Sequence, residues 1–374
     1  MDNNKKWLIG MGIVLIVIAG TLLFRSIKLG KIDYVIPGVP YVGMHNHVGK
    51  NEVVAGDSVP AVFSLLEYWN PEKNDYTKTN SLLSNGGGFI SEKVVMDFFN
   101  KVGYVARSVH LENDELGKYL NGEMKTPLLV FLPITASQPK EDLYYPAMVI
   151  IGVKETENKI IVHDFWLGNN YEISFAELDQ RWEFRKSDER RNYIIAQPQG
   201  LKVNLAAINT RKIEAYPQRT VTMEKIEEMI KDYAIGFGLN IQNLNSQALD
   251  YFLKVEKNTN FEKYLPPYFK VYTYFFIASE YLKIGNVKLA TVYAQKSVDT
   301  NHDLNKSFND WPGLEYDGSL GEVNSPWIIL GDVYLENKDY QKAKELYQRA
   351  LRILPDKDVA NKLRMVETAL SQAK

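Results

Sequence analysis

Apolar positions change their spacing along this chain, and each change marks a different kind of element. Trp7 to Phe24 contains no charged side chain, with Lys5 and Lys6 before it and Arg25 and Lys28 after it. As a helix rising about 1.5 Å per residue, this run would nearly cross a ~30 Å hydrocarbon core. It is apolar all round and stands at the start of the chain, so residues 1–28 are expected to form a membrane anchor rather than a buried core helix. The run exceeds a usual signal-peptide core, and Ala19-Gly20-Thr21 is not a small-x-small cleavage site, which favours an uncleaved anchor. Basic residues at both ends leave the positive-inside rule little to decide.

From Tyr34 to Pro198 the pattern mixes helical and strand periods. Asp57 to Tyr68 opens on a candidate cap, Asp57 or Ser58, and spaces Val62, Phe63, Leu65, Leu66 and Trp69 as a buried helix does. Ser91 opens a second helix. Its Glu92 to Val102 stretch is expected to put Val94, Val95, Phe98 and Phe99 on one face, with Gly103 as the stop. Short apolar runs follow: Leu128 to Leu132, Ala147 to Val153 and Ile160 to Val162, the last two joined by the polar turn Lys154 to Lys159, a hairpin pattern. A helix over Ser174 to Trp182 and a strand over Tyr193 to Ala196 complete an α+β segment, helices first and antiparallel sheet afterwards.

From about Thr222 the period is helical, and the chain repeats itself. Between Asn324 and Lys357, the residues Trp327, Leu330, Gly331, Tyr334, Ala343, Tyr347, Ala350 and Pro355 stand at the offsets of a tetratricopeptide (TPR) repeat, which this stretch closely resembles. The small residues Gly331, Ala343 and Ala350 allow paired helices to approach, and Trp327, Tyr334 and Tyr347 fill the space around them. A weaker copy over about 271–302 places Tyr274, Ile277, Ala278, Tyr281, Ala290 and Ala294 at matching offsets, with Gly285-Asn286 in the turn. Between the copies, Asp303 to Val323 reads as an inserted loop carrying Trp311 and Tyr316, and Asp358 to Gln372 reads as a capping helix. A lone repeat cannot bury its faces, so the helices from Thr222 to Lys263 are expected to complete the stack, giving a helical domain over 222–374.

The segment over residues 34–198 also carries an ordered set of short motifs: Val39-Pro40-Tyr41-Val42, Asp57-Ser58-Val59-Pro60-Ala61, the strand Ala147 to Gly152, Asp164, then Phe175 and Trp182. In that order they resemble the C39-like branch of papain-type cysteine peptidases. The resemblance implies a papain-like α+β scaffold, with a nucleophile position at Ser58, a general-base position at Pro146 (Tyr145 with a one-residue slip), an oxyanion-hole position at Met44 and an orienting acid at Asp164. Only the acid matches the family pattern. A serine hydroxyl needs a base, proline is none, and methionine cannot donate a hydrogen bond to an oxyanion. No catalytic residue is therefore expected, and Ser58 reads equally as a helix N-cap.

Composition narrows the partners. With 44 basic against 46 acidic residues the chain lacks the positive field that a nucleic-acid backbone requires, so no nucleic acid is expected. No cysteine is present, which excludes disulfides, thiolate metal sites and thiol catalysis. His45, His47 and His163 would face one cleft under the family alignment, but a pair two residues apart is a weak metal signal, and no metal or cofactor is expected. His110 and His302 show no nearby partner pattern, and Gly86-Gly87-Gly88 follows no strand and reads as a turn rather than a phosphate cradle. The sequence thus points to a single-pass, extracytoplasmic scaffold that binds a peptide or protein, its side inferred from the family resemblance. Trp311, Tyr316, Trp327 and Tyr334 are its candidate contact residues. A hydrolase rebuilt on Ser58, or on a metal at the three histidines, is the alternative of a different class.

Overall fold

The computed structural model describes residues 31–41, 58–70, 76–84, 90–122, 125–140, 144–199, 221–265, 267–305 and 322–372. The apolar run Trp7 to Phe24 lies outside them. No helix of the described residues is long and apolar enough to cross a membrane.

The first half is built on a seven-stranded sheet. In chain order its elements are β1 (Asp33–Val35), α1 (Val59–Trp69), α2 (Tyr76–Ser84), α3 (Glu92–Lys101), β2 (Tyr104–His110), α4 (Asn113–Leu120), β3 (Leu128–Phe131), β4 (Ala147–Lys154), β5 (Lys159–Asp164), β6 (Gly168–Ser174), α5 (Phe175–Trp182) and β7 (Asn192–Pro198). Spatial order across the sheet is β2-β7-β3-β4-β5-β6, every pairing is antiparallel, and β1 joins β4 beside β3. Ala147 to Val153 are all buried. Because successive strand residues face opposite ways, both faces of the sheet are covered at its centre.

The expected hairpin is β4 and β5, its turn closed with Asn158 at φ 55. At Gly152 the register of β4 shifts, and a Cβ there would stand 2.8 Å from the Tyr34 carbonyl oxygen. Glycine is what lets β1 reach the sheet. Helix α3 begins as expected, the Ser91 hydroxyl accepting the Val94 N–H at 3.3 Å, and the chain leaves it at Gly103 with φ 95. Val94 itself is 40% exposed while Val95, Phe98 and Phe99 are buried, so the apolar face is narrower than its sequence suggests. The simple order of helices followed by sheet also needs correction, because among the described residues β1 precedes α1 and β2 lies between α3 and α4. Helix α1 is tied down at its far end by Tyr68, whose hydroxyl donates to the Lys125 carbonyl at 2.8 Å, and by Trp69, whose Nε1–H donates to Ala196 O on β7 at 2.8 Å.

The second half is helical: α6 (Val221–Ile241), α7 (Asn245–Glu256), the single turn α8 (Phe261–Tyr264), α9 (Pro267–Lys283), α10 (Val287–Asn301), a 3-10 turn over His302–Asn305, α11 (Ser325–Glu336), α12 (Tyr340–Ile353) and α13 (Lys357–Gln372). Each long helix packs on the next along the chain, so α6/α7, α9/α10 and α11/α12 form successive hairpins and α13 covers the last. Turn chemistry repeats with them. Asn286 and Asp339 each accept an N–H three residues on, from Leu289 and Lys342, at 3.2 Å. Gly285 and Lys338 precede them at φ 80 and φ 60.

The two halves share one core. Trp166, on the turn after β5, packs against Tyr233 and Phe237 of α6 with ring centroids 5.9 and 6.1 Å apart. Tyr144 meets Phe237 at 5.8 Å, and the Tyr171 hydroxyl donates to Glu227 Oε1 at 2.9 Å. Buried residues run without a break from the sheet through α6, α7 and α9.

Candidate functional site

Of the motifs singled out in the sequence, Val39-Pro40-Tyr41, Ser58, the start of β4 and Asp164 meet at one end of the sheet, whereas Phe175 stands at the other, its N–H donating to Asn158 O in the β4–β5 turn. β4 and β5 run antiparallel with Val149 opposite His163, so the start of β4 and the end of β5 lie side by side. Ser58 reaches the same place, because its Oγ accepts the Ala147 N–H at 3.3 Å. The segment Val39-Pro40-Tyr41 lies across them. Val39 O accepts from His163 Nε2 at 3.0 Å, Pro40 O accepts from the Ser64 hydroxyl, and the Tyr41 ring stacks on Phe165 at 5.6 Å and meets His163 edge-on at 5.6 Å.

Ser58, Asp164 and His163 each hold backbone at this end. Ser58 occupies the N-cap position of α1, but its side chain makes no cap bond there, contrary to the reading of it as a capping serine. Its φ of −90° and ψ of −13° are helical, which points the hydroxyl away from the first-turn N–H groups and towards β4. Pro146 is buried beside it and has no proton to exchange. Asp164 is buried, and its Oδ1 accepts two backbone N–H groups, from Trp166 at 2.8 Å and Leu167 at 2.9 Å. Burial pushes its carboxyl up, and the Arg181 guanidinium, those two N–H groups and Lys231 pull it back.

His163 is not poised as a base. Its Nδ1 accepts the Asn170 N–H at 3.4 Å while Nε2 faces Val39 O, so the two bonds specify the neutral tautomer protonated on Nε2. Burial lowers its pKa from an ordinary 6.5 to about 4, against the opposing bond to Val39. Both nitrogens of His163 are thus engaged within the fold; His45 and His47, which the family alignment would bring to the same cleft, lie outside the described residues, as does Met44.

On the helical half, Trp311 and Tyr316 also lie outside the described residues, whereas Trp327 and Tyr334 of α11 are half-buried. Trp327 lies under the Arg349 guanidinium at 5.2 Å and against the edge of His302 at 5.6 Å. Glu322 joins this group, accepting from Arg349 Nη2 at 2.8 Å and meeting His302 Nδ1 at 2.8 Å. Tyr334 carries Lys342 over its ring at 4.8 Å. The inserted segment is closed at its base by Asn301, whose Nδ2 donates to Val323 O at 2.9 Å and whose Oδ1 accepts the Val323 N–H at 3.0 Å.

Sequence reasoning missed Asn301, Glu322 and the partners of His302, and no local signal would have found them. Their contacts span about twenty residues of chain that carry no periodic pattern. His110 likewise has partners, Glu112 and Asn192 at 3.3 and 3.4 Å, the second of which comes from β7.

Comparison with known proteins bears on the helical half. The tetratricopeptide repeat family profile matches residues 325–357, the span of α11, α12 and the turn after them. Similar solved structures include the first TPR of Spaghetti (RPAP3) bound to the HSP90 peptide SRMEEVD, 16% identical over 39% of this chain and 94% of that one, at a TM-score of 0.30. Another is the TPR2AB-domain:pHSP90 complex of yeast Sti1, 17% identical over 39% of this chain and 49% of that one, also at 0.30. This chain therefore spans about half of the second protein's length. No curated protein matches. The chain thus joins an N-terminal α+β half on an antiparallel sheet to a helical half that contains a tetratricopeptide repeat.

Proposed function

We propose that this protein is a membrane-anchored, extracytoplasmic scaffold. Its C39-like sheet half has lost peptidase chemistry and serves as a platform, and its helical half binds a polypeptide. The observation that carries this reading is the fate of the catalytic positions. Ser58 spends its hydroxyl on Ala147, Asp164 spends Oδ1 on the turn that holds Trp166, and α6 packs over that turn. Pro146, at the position of the general base, can take no proton; a serine without such help is scarcely ionised at neutral pH, and general-base assistance contributes typically ~10²–10⁴-fold. The packing also favours a structural use of this end over peptide binding in a cleft. Stacked helical hairpins, by contrast, present an extended surface suited to a second chain. In this reading the contact residues are Trp311 and Tyr316 of the insertion with the half-buried rings of Trp327 and Tyr334, and residues 1–28 hold the assembly at the membrane.

Fractionation and capture test it together. The full chain is expected in the membrane pellet after alkaline extraction, and removal of residues 1–28 should release a soluble, folded product. Cross-linked capture from the source membranes should yield a defined polypeptide that is lost when residues 303–323 are replaced by a short Gly/Ser linker. The rebuilt-hydrolase reading would prevail if a serine-directed covalent probe labelled the wild type but not Ser58→Ala.

A further inference from the structure

We propose that Asp164 and Trp166 form a clasp that docks the helical half onto the sheet half, so that the stack is held in one fixed orientation on its platform. This goes beyond the scaffold reading and does not depend on the peptidase resemblance, because it concerns only how the two halves of the chain are joined.

The clasp has a base and a tip. At the base, Asp164 closes β5 and accepts the N–H groups of Trp166 and Leu167 through a single oxygen, at 2.8 and 2.9 Å. Both bonds go to backbone, so they fix the path of the turn rather than one rotamer. The turn is short, since β6 begins at Gly168, which pairs with Asp164 itself. At the tip, the Trp166 ring enters the space between Tyr233 and Phe237, one helical turn apart on α6, and is buried there. Phe237 in turn meets Tyr144 of the sheet half and Phe276 of α9, and Tyr233 meets Phe252 of α7 and Phe269 of α9. One indole thus touches the pair of rings around which the first helical hairpin and α9 assemble.

Charge follows the same path. Arg181 from α5 and Lys231 from α6 act on the Asp164 carboxyl, which in turn acts on the phenol of Tyr41. Lys231 pairs with Glu227 at 2.6 Å, and Glu227 accepts the Tyr171 hydroxyl from β6. Oδ2 of Asp164 and Nε1 of Trp166 are buried without hydrogen-bond partners. Neither group is placed there for its own polar bonding; the carboxylate holds backbone and the indole supplies area.

The test uses the full chain, solubilised in detergent, with a protease recognition sequence inserted between Gln199 and Val221. After cleavage, the wild-type halves are expected to co-elute in size exclusion. Asp164→Leu, Trp166→Ala and Phe237→Ala should weaken their association about tenfold or more, as loss of a central buried aromatic contact does, with circular dichroism of both halves unchanged. Asp164→Asn keeps an oxygen to accept the two N–H groups and should restore co-elution. Because Phe237 lies outside the sheet half, it reports on docking even if a sheet variant misfolds. Wild-type halves that separate on cleavage would overturn the proposal, as would Trp166→Ala and Phe237→Ala halves that stay together as tightly as wild type. Failure of Asp164→Asn to rescue would remove Asp164 from the clasp.

Discussion

Ser58 and Ala147, 89 positions apart in the chain, are joined by a bond from the backbone N–H of the strand to the hydroxyl of the serine, at 3.3 Å. It links the start of α1 to the start of β4, two elements that the sequence separates by several others.

Replacing Ser58 with alanine should therefore leave a buried strand N–H without a partner, at a cost of about 1–3 kcal/mol. The loss belongs to the sheet, not to a helix cap. Urea unfolding should show it, and the rate of peptide or ester hydrolysis should stay at background in both proteins.

Gly331 of α11 faces Tyr347 of α12 so closely that a Cβ would stand 2.6 Å from Cε1 of the ring. The ring is held in place, its hydroxyl donating to Asp332 Oδ1 at 2.7 Å. Gly331→Ala should cost about 1–3 kcal/mol as an overpacked contact, even though alanine is the better helix former. In a Tyr347→Leu background the same change should cost less, and a double-mutant cycle in thermal unfolding measures the difference.

His163 makes stability depend on pH on the acid side. Its folded pKa of about 4 lies below the ordinary 6.5, so between those values the unfolded chain binds a proton that the native chain does not. The stabilisation is complete above pH 6.5 and is lost as pH falls towards 4, by about 3 kcal/mol at most. Asp164 acts in the opposite sense, since its raised carboxyl stabilises the fold at low pH and less as pH rises above 3.8. Denaturant midpoints measured from pH 7 to 4 should fall in the wild type and fall less in His163→Gln, which keeps one donor and one acceptor.

Asn301 closes the inserted segment by gripping both backbone groups of Val323. Asn301→Leu should leave these unpaired, and the segment from residue 303 to 323 should then be cut faster in limited proteolysis. Asn301→Asp keeps only the acceptor, and its cleavage rate should fall between the two.

Much of the fold was legible because its strongest elements obey local rules. β3, β4 and β5 are continuous apolar runs since they are buried on both faces, and α3 and α5 announce themselves through Ser91 and Ser174, each of which accepts an N–H from the first turn. The tetratricopeptide pattern survives because glycine at 331 and tyrosine at 347 are complementary shapes. β2 and β6 escaped notice for the converse reason. They are the outer strands of the sheet, and segments such as Tyr104-Val-Ala-Arg-Ser-Val-His110 and Gly168-Asn-Asn-Tyr-Glu-Ile-Ser174 interleave polar residues that an edge tolerates.

By itself, then, the sequence determined the absence of thiol chemistry, the helical repeat and the central strands, each of which depends on residue type or on spacing within a few turns. Tertiary structure alone decided what the polar residues do. Whether Ser58 caps a helix or holds a strand depends on where its hydroxyl points, and whether His163 is a base depends on which carbonyl and amide reach its two nitrogens. The contact of Trp166 with α6 crosses more than sixty residues of chain. No periodicity encodes such a meeting, because it arises only when two separately formed surfaces are brought together and their shared apolar area leaves water.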